Sequence, residues 1–107
     1  RKLRIVFDNP SPGEISAEAY EAAIGVAASL AWHFADDHTR LTFYSQKYQG
    51  GADIYRYLNH LALEQPRLLP SAIEMLEPTD DFNVIVTARK PGSIPAQLWE
   101  SSYLVFI

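Results

Sequence analysis

Cysteine is absent from the sequence. That excludes disulfides, thiolate metal sites and a cysteine nucleophile, and it fits a reducing compartment. No apolar run approaches the ~20 residues that span a bilayer, and no signal peptide is visible. Cations are scarce as well: 9 Lys and Arg stand against 13 Asp and Glu, for a net charge of −4. No Lys/Arg stripe stands out, which argues against nucleic acid as a partner. Neither a G-x-G-x-x-G nor a Walker loop follows the first apolar run, so nothing supports a bound dinucleotide or nucleoside triphosphate, and no cofactor is expected. The G-x-S-x-G elbow of many serine hydrolases is also missing.

What is present suits one domain. The chain has 107 residues, 48% of them hydrophobic. A domain of that size buries roughly 65% of its unfolded surface, enough for one core. The whole span, 1–107, therefore reads as a single domain. It begins without an initiating Met and stops in the apolar YLVFI. The expectation is a piece excised from a longer protein, truncated on its C-terminal side, and cytoplasmic unless the parent is membrane-anchored. A sheet edge exposed by such a cut would drive dimers.

Apolar strands and helices alternate along the chain. Residues 3–8, LRIVFD, are a continuous apolar run ending in an acid, and predict a strand buried on both faces. A Pro- and Gly-rich loop follows at 9–15. Ser16 is placed to cap a helix over 17–36, in which Tyr20, Ala23, Ala27, Leu30, Ala31 and Phe34 keep helical spacing. Ile24, Val26 and Ala28 widen that stripe, so the helix reads as largely buried. Asp37-His38-Thr39 is the turn out. Residues 40–46 predict a second strand, with Tyr48 in a short hairpin partner closed by Gly50-Gly51. A helix over 52–64, with Ile54, Leu58, Leu61 and Ala62 inward, ends before Pro66. A short helix from Pro70-Ser71 to Leu76 comes next, then a strand at 82–88, an exit loop at 89–92, a helix at 95–100 with Pro95 in its first turn, and a last strand at 102–107. This order predicts an α/β fold: a doubly wound, mostly parallel sheet with helices on both faces.

Ligands of such sheets gather at the carboxyl ends of the strands, which singles out Asp8 in RIVFDNPSP. The histidines carry less weight. His33 and His60 fall on helices, not at strand ends, and His38 follows a helix end, where a cation is favourable anyway. Ser29 reads as helix packing. The pairs Asp36-Asp37 and Asp80-Asp81 read as solvated loop acids. Tyr44, Tyr48, Tyr55, Tyr57, Trp32 and Trp99 are more aromatics than one small core holds, so one or two are expected on a contact surface.

The segment AYEAAIGVAASLAWHF (19–34) opens with Tyr20-Glu21 and continues into Ala27-Ala28-Ser29-Leu30-Ala31. An RLTFYS strand, a Gly-containing loop and a helix with Leu58, Leu61-Ala62 and Pro66 follow. This pattern, over roughly residues 3–107, resembles the C-terminal region of the DUF58 proteins, a von Willebrand factor A-like domain with Rossmann-type layering. Such domains often carry a metal-ion-dependent adhesion site, opened by Asp-x-Ser-x-Ser. Here Asp8 matches, both serine positions are Pro10 and Pro12, and Ser11 is out of register by one. The acid expected past the fourth strand is missing from Thr87-Ala88-Arg89. Ser71 is the nearest hydroxyl to the remaining threonine position.

The resemblance thus implies a degenerate adhesion site whose remnant edge is Asp8, Ser11 and Arg89, with no metal bound. Proline offers no side-chain oxygen to an ion that needs near-octahedral oxygen ligands. Two local readings of Asp8 stay open: it pairs with Arg89 or Lys90, or it caps the loop through the amides of 10–13. The functional expectation is a non-catalytic protein–protein interaction module. By resemblance it would act with a MoxR-type AAA+ ATPase in assembly or maturation of other proteins. Two alternatives remain: a Mg²⁺- or Mn²⁺-dependent adhesion module in which Ser11 and water complete the shell of Asp8, and a small hydrolase in which Asp8 works with His60 or His38.

Overall fold

The apolar run at the start of the chain takes the centre of a five-stranded sheet. A computed structural model describes residues 2–36 and 38–107. Arg1 and Asp37 lie outside the described residues, and with Asp37 part of the expected turn and of the first acid pair. The elements are β1 (Lys2–Phe7), α1 (Ala17–Phe34), β2 (Arg40–Ser45), β3 (Tyr48–Gly51), α2 (Ile54–Leu63), a 3-10 turn (Ala72–Met75), β4 (Phe82–Thr87), a second 3-10 turn (Pro91–Ser93), α3 (Ala96–Trp99) and β5 (Ser102–Phe106). The sheet order is β3-β2-β1-β4-β5. β1 runs parallel to β2 and β4, β4 parallel to β5, and only the short β3 is antiparallel. The fold is α/β on a mostly parallel sheet. After β3 the chain crosses β1 to build the other half, so the switch point lies between β1 and its neighbours.

The pleat of β1 sorts its residues between two cores. Ile5 and Phe7 face α1 and α2, packed with Phe43, Tyr57, Leu61, Val84 and Val86. Val6 faces the other way, with Ala72, Ile73, Ile85 and Ile94. Long helices cover only the first face. On the second, the helix expected at 70–76 is a single 3-10 turn, capped by Ser71 through the Ile73 N–H, and α3 is four residues long. Prolines at 70, 78, 91 and 95 leave no room there for longer helices.

Caps set the other boundaries. Ser16 Oγ accepts from the Ala19 N–H at 3.0 Å, as expected. The end of α1 comes at Phe34, before Asp36, whose carboxylate takes the His38 N–H at 2.7 Å and holds a turn in place of another helical one. α2 starts only at Ile54 because the Asp53 side chain accepts from Tyr55 and Arg56. Pro95 is the residue before α3, not part of its first turn. α1 is not largely buried. It sinks only Tyr20, Ala23, Ala27 and Ala31 into the core, while Val26 and Ser29 face outward, because none of the described residues covers its far side. Likewise Ala62 of α2 is exposed, and Tyr57 takes the inward position.

Candidate functional site

Three parallel strands deliver polar residues to one end of the sheet. β1 ends at Asp8 and Asn9, β2 at Ser45 and Gln46, and β4 at Thr87, all of them buried. The Asp8 N–H continues the ladder to the Val86 carbonyl at 2.8 Å. Its carboxylate then receives four donors. Oδ1 accepts from the Ala72 N–H at 2.8 Å and Gln46 Nε2 at 3.2 Å. Oδ2 accepts from Thr87 Oγ1 at 2.7 Å and Ser71 Oγ at 2.9 Å. A carboxylate offers about four lone-pair sites, so Asp8 is saturated from within the chain.

The expected pairing with a cation is corrected by this geometry. Neither Arg89 nor Lys90 forms an ion pair with Asp8. Arg89 Nη1 pairs instead with Glu74 Oε1 at 2.7 Å and reaches toward Asp8 only through Ser71 Oγ, at 3.3 Å. Its other nitrogens are held by the hydroxyl and the carbonyl of Ser93. Capping of the loop at 10–13 is corrected too, since the one amide on Asp8 is that of Ala72. Glu14 does the capping, accepting from the Ser11 N–H at 2.9 Å. Ser11 stands on the rim of a cleft of about 170 Å³ that also includes Asp8, Ser71 and Arg89. Asp8, Ser11 and Arg89 are therefore neighbours, with Ser71 and Thr87 as links between Asp8 and Arg89.

Gln46 ties the ends of β1 and β2 together. Its Oε1 accepts from the Asn9 N–H at 3.0 Å, while Nε2 donates to the Asn9 carbonyl at 3.0 Å as well as to Asp8. Asn9 holds the neighbouring loop through the Gln65 carbonyl at 2.9 Å and accepts from the Tyr20 hydroxyl at 2.9 Å. Burial pushes the Tyr20 phenol well above its usual range, with Glu64 and Glu21 adding to the effect, so it stays a donor. Gln46 and Asn9 had no motif to reveal them. Their only signal is position, as polar residues directly after apolar strands.

His60 forms a second cluster. Its Nε2 meets Ser45 Oγ at 2.6 Å and Glu64 Oε2 at 3.5 Å. Burial lowers its pKa below the ordinary value of 6.5, with Glu64 opposing the shift and Arg67 adding to it. Neither His60 nor His38 lines the Asp8 cleft, and Ser45 is 0% exposed, so its hydroxyl cannot be approached by a substrate.

The residues present do not fit a divalent cation. Asp8 has no lone pair left, and Pro10 and Pro12 supply no oxygen where the adhesion motif has serines. Among the described residues no three His, Asp or Glu side chains converge on one point. No family model, no curated protein and no solved structure matches the chain.

Proposed function

We propose that the chain is a non-catalytic protein–protein interaction module of the von Willebrand factor A-like kind, in which the adhesion-site acid has become an internal bolt. The observation that carries this reading is the saturation of Asp8 by Ser71, Thr87, Gln46 and the Ala72 amide. A carboxylate engaged in this way has no free lone pair for an ion. The resemblance of residues 3–107 to DUF58 proteins supports a protein as the partner, with a MoxR-type AAA+ ATPase as the first to try. Exposed Trp99, Tyr103 and Phe106, at the edge strand β5, supply the apolar surface such contacts use.

Thermal unfolding with Mg²⁺ and Mn²⁺, wild type against Asp8→Ala, tests the reading. The expected midpoint is independent of both ions in wild type and lower by ~10 °C or more in the variant. A ligand at 100 times its dissociation constant stabilises by about 2.7 kcal/mol. An ion-dependent rise of that size, abolished in Asp8→Ala, would instead establish the metal-dependent adhesion module.

A further inference from the structure

Four residues before Asp8, and about 13 Å away along the strand, β1 buries a cation. Arg4 is 4% exposed. Its Nε donates to Asn83 Oδ1 at 2.7 Å and its Nη1 to the Glu77 carbonyl at 2.8 Å. The guanidinium carbon lies 5.8 Å from the centre of the Tyr44 ring. All three partners are neutral. Among the described residues no carboxylate pairs with Arg4, although buried charges are ordinarily paired. Nη2 has no assigned acceptor, yet no fully buried side-chain nitrogen in the described residues lacks a partner. That nitrogen therefore keeps some access to solvent, and Arg4 lines the adjoining cavity.

The cavity is about 380 Å³, with Arg4 in its lining. Ile73, Leu76 and Leu98 form apolar walls, and Asn83 and Ser101 add polar groups. Polar and apolar surface share the lining evenly, and the volume lies in the range of small-molecule sites. The two acids present refine the class. Glu74 is engaged by Arg89, and Glu77 is an exposed residue of the lining. Their charge opposes a dianion such as a phosphate monoester, whereas one carboxylate on an apolar body meets a single unpaired guanidinium and an apolar wall.

We propose that this cavity binds a small apolar monocarboxylate, its acid group paired with Arg4 and its hydrocarbon part against Ile73, Leu76 and Leu98. Nη2 has no assigned acceptor and can donate to such a carboxylate. The site is separate from the Asp8 cleft and independent of the interaction reading.

The probes are 4-methylpentanoate and 4-methylpentan-1-ol, which share a body and differ in charge. Each is titrated into ¹⁵N-labelled protein at constant pH and salt. The acid is expected to shift the Glu77, Asn83 and Leu98 amides and the Arg4 Nε–H saturably, with a dissociation constant of about 1 mM for a ligand this small. The alcohol should bind at least about tenfold more weakly. Leu98→Trp fills the cavity and leaves Arg4 in place, and should remove the saturable shifts while the rest of the spectrum stays folded. Arg4→Met should also abolish binding; where it fails to fold, Leu98→Trp decides. Equal shifts with acid and alcohol, no saturation by about 20 mM, or undiminished binding in folded Leu98→Trp would each overturn the proposal.

Discussion

Asp8 is the residue on which the strand ends depend. Bonds to a charged acceptor contribute about 1.5–3 kcal/mol each, and a buried partner left unsatisfied costs about 1–3 kcal/mol. Thr87→Val keeps the shape and removes one donor, which is 0% exposed and 2.7 Å from Oδ2. It should cost about 1.5 kcal/mol in urea unfolding, and Asp8→Ala about 3 kcal/mol or more. A loss below about 0.5 kcal/mol in Thr87→Val would place the stabilisation elsewhere. Asp8 was legible because an acid ends a continuous apolar strand. Its partners were not, since Ser71 and Thr87 lie 63 and 79 positions further along. Pairing through such separations follows from the crossover, which no local pattern encodes. Charge alone suggested Arg89 for the same place, but Glu74 offered the guanidinium an exposed carboxylate without the desolvation that pairing at a buried acid requires.

Alternate residues of one strand hold one segment of the second layer. Asp8 receives the Ser71 hydroxyl and Ala72 amide, Val6 packs with Ala72 and Ile73, and Arg4 takes the Glu77 carbonyl. A 3-10 turn of four residues has no cooperative stability of its own, so its order derives from these three anchors. In Asp8→Ala the amides of Ala72, Glu74 and Leu76 should exchange much faster, while those of α1 keep their protection. Native-state hydrogen exchange reads this directly, and equal loss in α1 would show global unfolding in place of local release. The elements themselves were readable to within two residues, because α1 and α2 carry helical spacing and the strands carry apolar runs. The segment over the second face was not, because its conformation is imposed by β1 and by prolines on either side. The same dependence explains Pro95, which fixes the entry to α3 without joining it.

For the whole molecule, the sheet concentrates its titratable risk at one end, where β2 meets α2. His60 is packed against Tyr48, Tyr57 and Ser45, with Glu64 and Arg67 as the charged groups beside it. Burial is the largest cause of its lowered pKa. The unfolded chain therefore binds the proton more readily than the folded one. Stability is full above the unfolded value of 6.5 and falls as the pH drops through it, levelling off only below the lower pKa of the folded state. His60→Gln keeps a hydrogen-bonding side chain near Ser45 and removes the titration. Urea midpoints measured from about pH 7.5 to about 5.5, above the ordinary carboxylate range, should fall with pH in wild type and change less in His60→Gln. Parallel profiles would mean that the packing of Tyr48 and Tyr57 around the ring does not penalise its charge, and that Glu64 offsets the burial in full. The four-residue spacing of His60 and Glu64 is written in the sequence, whereas Ser45 comes to His60 from another element. Only the pairing of β2 with β1 and the docking of α2 on that face bring them together.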